Sequence, residues 1–308
     1  MKRGRKRSRL SQLATEQTNR ASADLDLKSS LEIARIINAE DAKVAAAVKR
    51  ALPQIAQAMD WIVAALRRGG RLIYVGAGTS GRIAALDAAE CPPTYNTDPR
   101  TVQFVMAGGP KALGSAGEMN EDSRQSGEWE ISKRKPGRND VVVGIAASGR
   151  TPFTVAAVAY ARRAGAKTVA LTCNHDSPLV KASHLAIVTE VGPEVISGST
   201  RMKAGTAQKM VVNMLSTGAM TRLGYVFGNL MVNVRLKNEK LAARGVNILE
   251  RATVVHREAA QRALKLAGNH LPVALVMLTA GVQRKEAEQA LKASGGAVRR
   301  AVAAVRSL

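Results

Sequence analysis

Five short apolar segments follow one another between residues 71 and 190, and they limit the folds open to this chain more than any other feature. Each is about 5 to 7 residues long and apolar at consecutive positions, as strands buried on both faces of a parallel sheet are. Ala-rich segments with helical spacing separate them, which is typical of a doubly wound α/β domain. The predicted fold is therefore α/β, a three-layer αβα sandwich around a five-stranded parallel sheet. The segments read RLIYVGAG, TVQFVMAGG, DVVVGIAASG, KTVALTC and HLAIVTE.

Helical periodicity dominates on both sides of this core. The stretches SSLEIARIINAED and DAKVAAAVKRALPQIAQAMDWIVAALRRGG are apolar at i, i+3, i+4 and i+7 spacing. Ser29 or Ser30 is the expected N-cap, and the Gly-Gly pair at 69–70 is the expected stop. After the sheet, residues 201–222 predict one long helix rich in Met, Val and Leu.

The last 60 or so residues predict three or four short helices, with breaks near residues 269–270 and 295–296. This small helical part resembles a ubiquitin-associated three-helix module, although its apolar spacing is more typical of core packing than of partner recognition. We expect four parts in all: a basic disordered tail at 1–14, N-terminal helices that pack on the sheet domain at 15–70, the α/β domain at 71–246, and the helical domain at 247–308.

The charge balance is strongly basic, with 46 Lys and Arg against 24 Asp and Glu and a formal net charge of +22. Six of the basic residues lie in the opening MKRGRKRSR, and removing them still leaves +16 (22 − 6). Such a charge attracts nucleic acid. The low aromatic content of 3%, with no interleaving of aromatic and basic residues, argues against that partner. An anionic substrate or a host with generally basic proteins explains the charge equally well.

The cysteine count and the apolar runs bear on the compartment. Cys91 and Cys173 are too few for a disulfide framework and fit a reducing cytoplasm. No apolar segment follows the basic N-terminus, so we expect no secretory signal. The longest apolar run, around residues 273–282, is about half of the roughly 20 residues that a membrane span needs. We therefore predict a cytoplasmic protein without a membrane partner.

The first strand ends in GAGTSGR, a Gly-x-Gly-x-x-Gly pattern at residues 76–81. A dinucleotide-binding loop of this kind is accompanied by an acidic residue at the end of the second strand, where it holds a ribose. The second strand here ends in VMAGGPK, and the nearest carboxylates, Asp98 and Glu118, lie before the strand and after it in the next helical stretch. The pattern thus favours a single phosphate over a dinucleotide.

The third strand ends in a second Ser-Gly-Arg, at 148–150, that repeats the one at 80–82. Both follow a strand and precede a helix, where exposed N–H groups and the helix dipole favour an anion. Glycine allows close backbone approach and the hydroxyls donate, so the pair predicts a phosphate cradle, with two plain strand-to-helix turns as the alternative. The candidate phosphate-binding residues are Gly78, Thr79, Ser80, Gly81, Ser148, Gly149, Arg150 and Thr151.

These loops belong to a longer set of motifs that covers most of the chain in order. On them, the chain resembles the phosphosugar-binding family with the sugar-isomerase fold, and within it the N-acetylmuramic acid 6-phosphate etherases. The glucokinase regulatory protein shares this architecture. The basic opening segment lies outside the pattern. The motifs are TEQTNRASADLD, GAGTSGR, LDAAECPPTY, EDSR, GIAASGRTP, GPEVISGSTRMKAGTAQK, FGNLMVNV and NEKLAARGVNI.

The resemblance implies a lyase that removes D-lactate from N-acetylmuramic acid 6-phosphate and yields N-acetylglucosamine 6-phosphate in cell-wall recycling. It also implies two catalytic glutamates, Glu90 in LDAAECPPTY and Glu121 in GEMNEDSR. With the sugar ring open, the C1 aldehyde acidifies the C2 proton, so a base and an acid suffice for the elimination. We therefore expect no cofactor and no metal, and which glutamate is acid and which is base stays open.

Local sequence alone gives neither glutamate a special role. Glu90 comes late in an Ala-rich helix, just before Pro92 and Pro93, which we expect to end that helix. Glu121 lies among other charged residues, as on a solvated helical face. If the first helix begins near Ser80, Glu90 lies about 15 Å along its axis, which exceeds the reach from a 6-phosphate to C2 of one sugar. We therefore expect a homodimer in which Glu90 serves the second subunit's site.

The stretch GPEVISGSTRMKAGTAQK at 192–209 is the other dense polar segment. Its hydroxyl residues at 197–200 precede a helix, so helix capping explains them without a ligand. The alternative is that this segment supplies contacts to the sugar hydroxyls and a cation for the lactyl carboxylate. On that interpretation the further substrate-binding residues are Glu194, Ser199, Arg201 and Lys203.

Three other functions remain open from the sequence. A sugar-phosphate-sensing regulator without turnover would use the same phosphate cradle. The presence of both glutamates in intact motifs argues against this function, because a sensor does not need them. An aldose–ketose isomerase would not need a pocket for the lactyl carboxylate. A DNA-binding regulator would need a helix-turn-helix before the sheet, and no recognition helix is evident there. The four histidines show neither metal-ligand spacing nor a neighbouring nucleophile.

Overall fold

The sheet has the predicted strands and the predicted parallel arrangement. A computed structural model describes residues 14–114, 120–234, 236 and 239–307, so most of the predicted basic tail lies outside the described residues. Five parallel strands pair in the order β2-β1-β3-β4-β5. Helices flank this sheet, and the predicted α/β fold is confirmed. The strands are β1 (Leu72–Gly76), β2 (Val102–Met106), β3 (Val141–Ile145), β4 (Lys167–Thr172) and β5 (Leu185–Val188).

The first of the helices around the sheet begins where the local sequence predicts. At the first of them, Ser29 is the N-cap: its side chain accepts from the backbone N–H of Glu32, and the Glu32 carboxylate accepts from the backbone N–H of Ser29. This reciprocal pair satisfies two N–H groups that a helix start otherwise leaves unpaired. The helices are α1 (Ser30–Arg50), α2 (Leu52–Arg67), α3 (Gly78–Tyr95), α4 (Arg124–Ser132), α5 (Pro152–Arg163), α6 (Pro178–Ala182) and α7 (Lys203–Leu223).

The two faces of the sheet meet different helices, because successive side chains of a strand point to opposite sides. Ile73 and Val75 of β1 pack in one cluster with Phe153 of α5. Tyr74, between them, faces the other side, where its hydroxyl donates to Oδ2 of Asp87 on α3 at 2.9 Å. The sheet is therefore covered on both sides, as its doubly apolar strands require.

The connection order creates a crevice at one edge of the sheet. β1 pairs with β2 on one side and with β3 on the other, so Gly76 lies beside both Met106 and Ile145. The chain runs from β1 to β2 and then crosses back to β3, so the direction of winding reverses at β1 and β3. Ligands of open parallel sheets bind at such a reversal, beyond the carboxyl ends of the strands. The two candidate phosphate loops follow these two strands.

The described chain divides into two compact units. The first contains Arg100–Ser216 and the described residues up to Ala88, and it holds the five-stranded sheet. The second contains Ala89–Pro99 and the described residues from Thr217 onward. The domain boundaries given above stay predictions.

The second unit is mostly helical, with a core that includes Leu249, Leu264, Leu275, Leu291 and Val302. A two-stranded antiparallel hairpin accompanies the helices. Its elements are β6 (Val226–Phe227), β7 (Leu230–Met231), α8 (Glu239–Thr253), α9 (Arg257–Leu266), α10 (Leu271–Ala280), α11 (Arg284–Ala293) and α12 (Val298–Arg306).

The two prolines at 92 and 93 do not end α3, so that prediction is wrong. The helix runs through both and continues to Tyr95. The backbone N–H of Asn96 donates to the carbonyl of Pro92 at 2.9 Å, which closes a further helical turn after the prolines. Asn96 then adopts a left-handed conformation with φ of 54°, and the helix stops there.

None of the described helices is both long and apolar enough to cross a membrane by itself. Two neighbouring helices, α9 and α10, pass that test only when taken together, and they are bent by 118° at their junction.

Candidate active site

A cavity of about 470 Å³ opens where β1 and β3 end. Both candidate phosphate loops contribute to it, together with a glutamate and two parts of the chain that are distant in sequence. Of the predicted site residues, it brings together Gly78, Thr79, Ser80, Glu121, Ser148 and Thr151. The other lining residues are Glu16, Ala77, Arg82, Ala146, Ala147, Gly198 and Thr200.

The first loop turns from β1 directly into α3. Gly78 opens the helix with φ of 52°, a conformation that glycine adopts without the strain a Cβ atom would add. The N–H of Gly81 donates back to the carbonyl of Ala77 at 3.1 Å. The N–H groups of the residues before it are the unpaired donors of a helix start, and they lie at the cavity.

The second loop turns from β3 into α5 in a similar way. Gly149 has φ of 67°, and a Cβ atom there would lie 2.3 Å from Oγ of Ser177, so no other residue fits without displacement. Thr151 precedes α5 and makes no side-chain capping bond within the described part of the chain. Thr151 and Ser148 both line the cavity, and the Ser148 hydroxyl also accepts from the backbone N–H of Arg150 at 3.2 Å.

A buried amide holds the hydroxyl of the first loop. Ser80 donates from Oγ to Oε1 of Gln208 on α7 at 2.9 Å, and both side chains are buried. The amide nitrogen of Gln208 has no hydrogen-bond partner among the residues that the structure describes. A buried donor without a partner is costly, so the Gln208 amide has one unused donor beside Ser80.

Glu121 lies against the first loop. Its Oε1 atom is 2.8 Å from the position that a Cβ atom on Gly78 would take. Its backbone carbonyl accepts from the N–H of Phe153 in α5 at 3.0 Å, which ties it to the start of the helix after the second loop. The Glu121 carboxylate thus lies against the first candidate phosphate loop, and its backbone contacts the helix that follows the second.

Family models match the part of the chain that carries this cavity: the glucokinase regulatory protein N-terminal SIS domain at residues 54–162 and the SIS domain at residues 112–218. The N-acetylmuramic acid 6-phosphate etherase of Symbiobacterium thermophilum is 57% identical over 274 residues, which are 89% of this chain and 91% of that protein. The chain belongs to the N-acetylmuramic acid 6-phosphate etherase family. A second member, from Aeromonas hydrophila, is 50% identical over 287 residues, 93% of this chain and 96% of that protein.

The similarity predicted from the motifs is thereby confirmed for the etherase family. Among solved structures, the phosphoheptose isomerase GmhA from Neisseria gonorrhoeae is 17% identical, with a TM-score of 0.48 over 63% of this chain and 100% of that chain.

Two residues that the etherase motif GPEVISGSTRMKAGTAQK contributes to the predicted site have internal partners. The carboxylate of Glu194 is fully buried and accepts from the backbone N–H groups of Lys203 and Ala204, each at 2.9 Å. It therefore caps the start of α7. The Nζ atom of Lys203 is 2.6 Å from Oε2 of Glu40 on α1, and both side chains are buried.

The pKa of Glu40 reflects this pairing. Burial by itself raises the pKa of the carboxyl, but hydrogen bonds from Lys203, Lys43 and Asn19 outweigh burial and lower it to about 2. Glu40 is thus ionised throughout the physiological range, and Lys203 has a fixed buried counter-charge.

The remaining predicted residues of the etherase site lie outside the lining of the cavity, as far as the described residues show. They are Gly81, Glu90, Gly149, Arg150, Glu194, Ser199, Arg201 and Lys203. Glu90 and Arg201 are exposed, whereas Gly81 and Gly149 are buried. The Nε atom of Arg150 is buried without a hydrogen-bond partner among the described residues.

Sequence reasoning did not select Glu16, Arg82, Gly198 or Thr200 for the site. Glu16 and Gly198 are separated by 182 positions, so no local pattern connects them. The Arg82 side chain is held in place by two backbone carbonyls. Its Nε atom donates to the carbonyl of Leu113 and its Nη2 atom to that of Ala112, each at 3.1 Å. The available signal for Glu16 was its position in TEQTNRASADLD, the first of the etherase motifs.

A second polar cluster lies behind the first loop, between α3 and α7. Oδ1 of Asp87 accepts from Oγ of Ser216 at 2.9 Å, while its other oxygen accepts from Tyr74. Burial raises the pKa of Asp87 to about 6, and the hydrogen bonds from Tyr74 and Ser216 and the charge of Lys209 oppose that rise only in part. Asp87 lies one helical turn before Glu90 in the same helix.

Proposed function

We propose that this protein is a carbon–oxygen lyase that cleaves the D-lactyl ether of N-acetylmuramic acid 6-phosphate and yields N-acetylglucosamine 6-phosphate and D-lactate. The observation that carries the proposal is the cavity between β1 and β3, where two hydroxyl-and-glycine loops meet the carboxylate of Glu121. Membership of the etherase family supports this substrate and this reaction. A sensing role without turnover is not favoured, because the relatives that span nearly the whole chain are named as etherases.

The phosphate of the substrate binds at the two loops. Backbone N–H groups at the start of α3 and the hydroxyls of Thr79, Ser80, Ser148 and Thr151 supply donors around it. Arg150 lies outside the lining of the cavity, and we propose that its guanidinium adds positive charge near the second loop without contacting the phosphate. For Glu194 and Lys203 we propose a supporting role, since their internal contacts set the start of α7.

The elimination needs one proton removed and one delivered. In the open-chain sugar the C1 aldehyde acidifies the C2 proton; a base takes this proton, the C2=C3 double bond forms, and the C3–O bond to lactate breaks as that oxygen is protonated. Water then adds its oxygen to C3 and a proton to C2, which restores the saturated sugar. The net reaction consumes one water and releases one D-lactate. We assign Glu121 to one of the two proton transfers because it lies within the cavity.

We assign Glu90 to the site of a second subunit in a homodimer. It is exposed on α3, ten residues after Ser80, which is about 15 Å along a helix axis. The first half of α1 also supports a subunit interface, because its apolar residues are exposed or only half-buried in the single chain. These residues are Leu31, Ile33, Ile36 and Ile37.

We place the reaction in the cytoplasm. Cys91 and Cys173 are both buried and form no disulfide within the described residues, which fits a reducing compartment. For the helical domain at 247–308 we propose a packing role like that of ubiquitin-associated modules, with the apolar side chains of its helices in its own core.

The test is release of D-lactate from N-acetylmuramic acid 6-phosphate by the purified protein. Wild type should release stoichiometric lactate, and Glu121→Gln and Glu90→Gln should each lose at least about 1000-fold in kcat. Glu130→Gln, which removes an exposed charge from α4, is the matched control and should keep full activity. Tight substrate binding without lactate from wild type would contradict the lyase.

Mixing the two inactive variants tests the shared site. In a random mixture half of the dimers are heterodimers, and each of these has one site with both glutamates intact. About a quarter of the wild-type activity should therefore return on mixing. If activity stays absent although heterodimers form, each site is complete within one subunit.

A further inference from the structure

The N-terminal segment at 15–22 forms one wall of the substrate cavity. Thr15 is buried with 1% of its surface exposed, and the next residue, Glu16, lines the cavity. Side-chain hydrogen bonds to backbone carbonyls fix the segment against the loop at 193–197. They run from Asn19 Nδ2 to the Pro193 carbonyl at 3.2 Å, from Ser22 Oγ to the Val195 carbonyl at 2.7 Å, and from Ser197 Oγ to the Gln17 carbonyl at 3.4 Å.

The Glu16 carboxylate lies at the wall that this loop provides. Its Oε2 atom is 3.8 Å from the position of a Cβ atom on Gly198, and Gly198 lines the same cavity. Glu16 and Glu121 are thus two carboxylates in a cavity whose lining also includes hydroxyl residues and Arg82. Glu121 lies against Gly78 of the first phosphate loop, whereas Glu16 lies beside Gly198.

The chemistry of a carboxylate limits what Glu16 can bind. When ionised it only accepts hydrogen bonds, and it repels the phosphate and the lactyl carboxylate of the substrate. The donors that an N-acetylated sugar phosphate offers are its hydroxyls and its amide N–H. When the ring opens, the C1 hydroxyl becomes the aldehyde oxygen and the C5 oxygen becomes a hydroxyl, so the number of hydroxyls stays the same.

We propose that Glu16 determines specificity by accepting a hydrogen bond from a sugar hydroxyl, so that the cavity distinguishes a sugar phosphate from phosphate alone. The proposal takes its substrate class from the proposed function. It assigns to the N-terminal segment a direct contact with substrate, with Asn19 and Ser22 as the residues that position it.

The test compares two ligands by calorimetry, N-acetylglucosamine 6-phosphate and inorganic phosphate. Glu16→Gln should bind the sugar phosphate about tenfold more weakly, since a hydrogen bond to a charged acceptor is replaced by one to a neutral amide. Inorganic phosphate, which reaches only the loops, should bind with unchanged affinity. Asp24→Asn removes an exposed charge from the same part of the chain and should leave both affinities unchanged.

A variant without any change at Glu16 gives an independent test. Asn19→Ala combined with Ser22→Ala releases the segment from its loop and should weaken the sugar phosphate selectively, as Glu16→Gln does. Equal losses for both ligands, no loss at all in Glu16→Gln, or a wild type that fails to bind the sugar phosphate would overturn the proposal. A selective loss in a protein that releases no lactate would contradict the lyase function and leave the role of Glu16 standing.

Discussion

Oε1 of Glu121 lies 2.8 Å from the place that a Cβ atom on Gly78 would occupy, so the carboxylate uses the space that only a glycine leaves open. Gly78 also has φ of 52°, which disfavours any side chain at this position. The start of α3 and the candidate acid–base residue are therefore fitted to each other. A side chain at position 78 would displace the Glu121 carboxylate.

We predict that Gly78→Ala loses lactate release by about 100-fold, because the new methyl group pushes the Glu121 carboxylate out of place by a fraction of an ångström or more. The same change should lower the free energy of unfolding by about 1–2 kcal/mol, through strain at positive φ. Steady-state kinetics and urea unfolding measure the two effects.

Gly109→Ala is the control that separates backbone strain at positive φ from displacement of the Glu121 carboxylate. Gly109 has φ of 65°, but a Cβ atom there meets no described atom within 4 Å. This variant should lose about the same stability and keep its activity. If both variants lose activity equally, the contact with Glu121 is not the cause.

The Ser80–Gln208 pair predicts a defect in substrate binding. To donate to a phosphate, Ser80 must give up its bond to Oε1 of Gln208, and the unpaired amide nitrogen can then turn to donate to Ser80. Gln208→Met removes the amide nitrogen that would donate to Ser80. It should raise KM about tenfold, with kcat changed less than threefold.

A double-mutant cycle checks that the two residues act together. Ser80→Ala should raise KM by a similar factor, and the double variant should be no worse than the more severe single one. Additive losses would mean that Gln208 contacts the substrate by another route or only supports the fold.

The buried pair of Glu40 and Lys203 predicts a strong effect on stability. Lys203→Met leaves the Glu40 carboxylate buried without its main partner, and the free energy of unfolding should fall by about 3–5 kcal/mol. Adding Glu40→Gln should recover much of this loss. Lys133→Met breaks an exposed ion pair with Glu130 and should cost less than about 1 kcal/mol.

The same pair predicts an acid limb of stability. The folded-state pKa of Glu40 lies near 2, below its unfolded value of 4.5, so its contribution is complete above 4.5 and is lost as the pH falls toward 2. Urea unfolding between pH 6 and pH 3 should show a decline in wild type that is smaller in Glu40→Gln. Parallel curves would contradict the lowered pKa.

Asp87 predicts the opposite dependence. Its folded-state pKa lies near 6, above its ordinary value of 3.8, so the folded state favours the protonated form. The contribution of Asp87 is most favourable below pH 3.8 and is lost as the pH rises through 6. Relative to wild type, Asp87→Asn should therefore gain about 2–3 kcal/mol between pH 4 and pH 7, measured by urea unfolding across that range. A constant difference would contradict the raised pKa.

The strands and the first helix cap were predictable because their signals are local. β1 to β5 are short runs of apolar residues, and Ser29 with Glu32 satisfies N–H groups three residues away. The prolines of α3 mislead for the same reason. The rule that a proline ends a helix predicts an end at Pro92 and Pro93. In the structure the next turn still closes, because the N–H of Asn96 donates to the carbonyl of Pro92.

The sequence by itself determined the five parallel strands and the two loops that follow β1 and β3, because hydrophobic periodicity and glycine patterns act over a few residues. Only the tertiary structure decided which polar groups meet. It brings Glu121 against Gly78, pairs Lys203 with Glu40, and sets Glu16 beside Gly198 across 182 positions. Such pairs depend on how whole helices and loops pack. The local sequence around a charged residue therefore does not identify its partner in the folded protein.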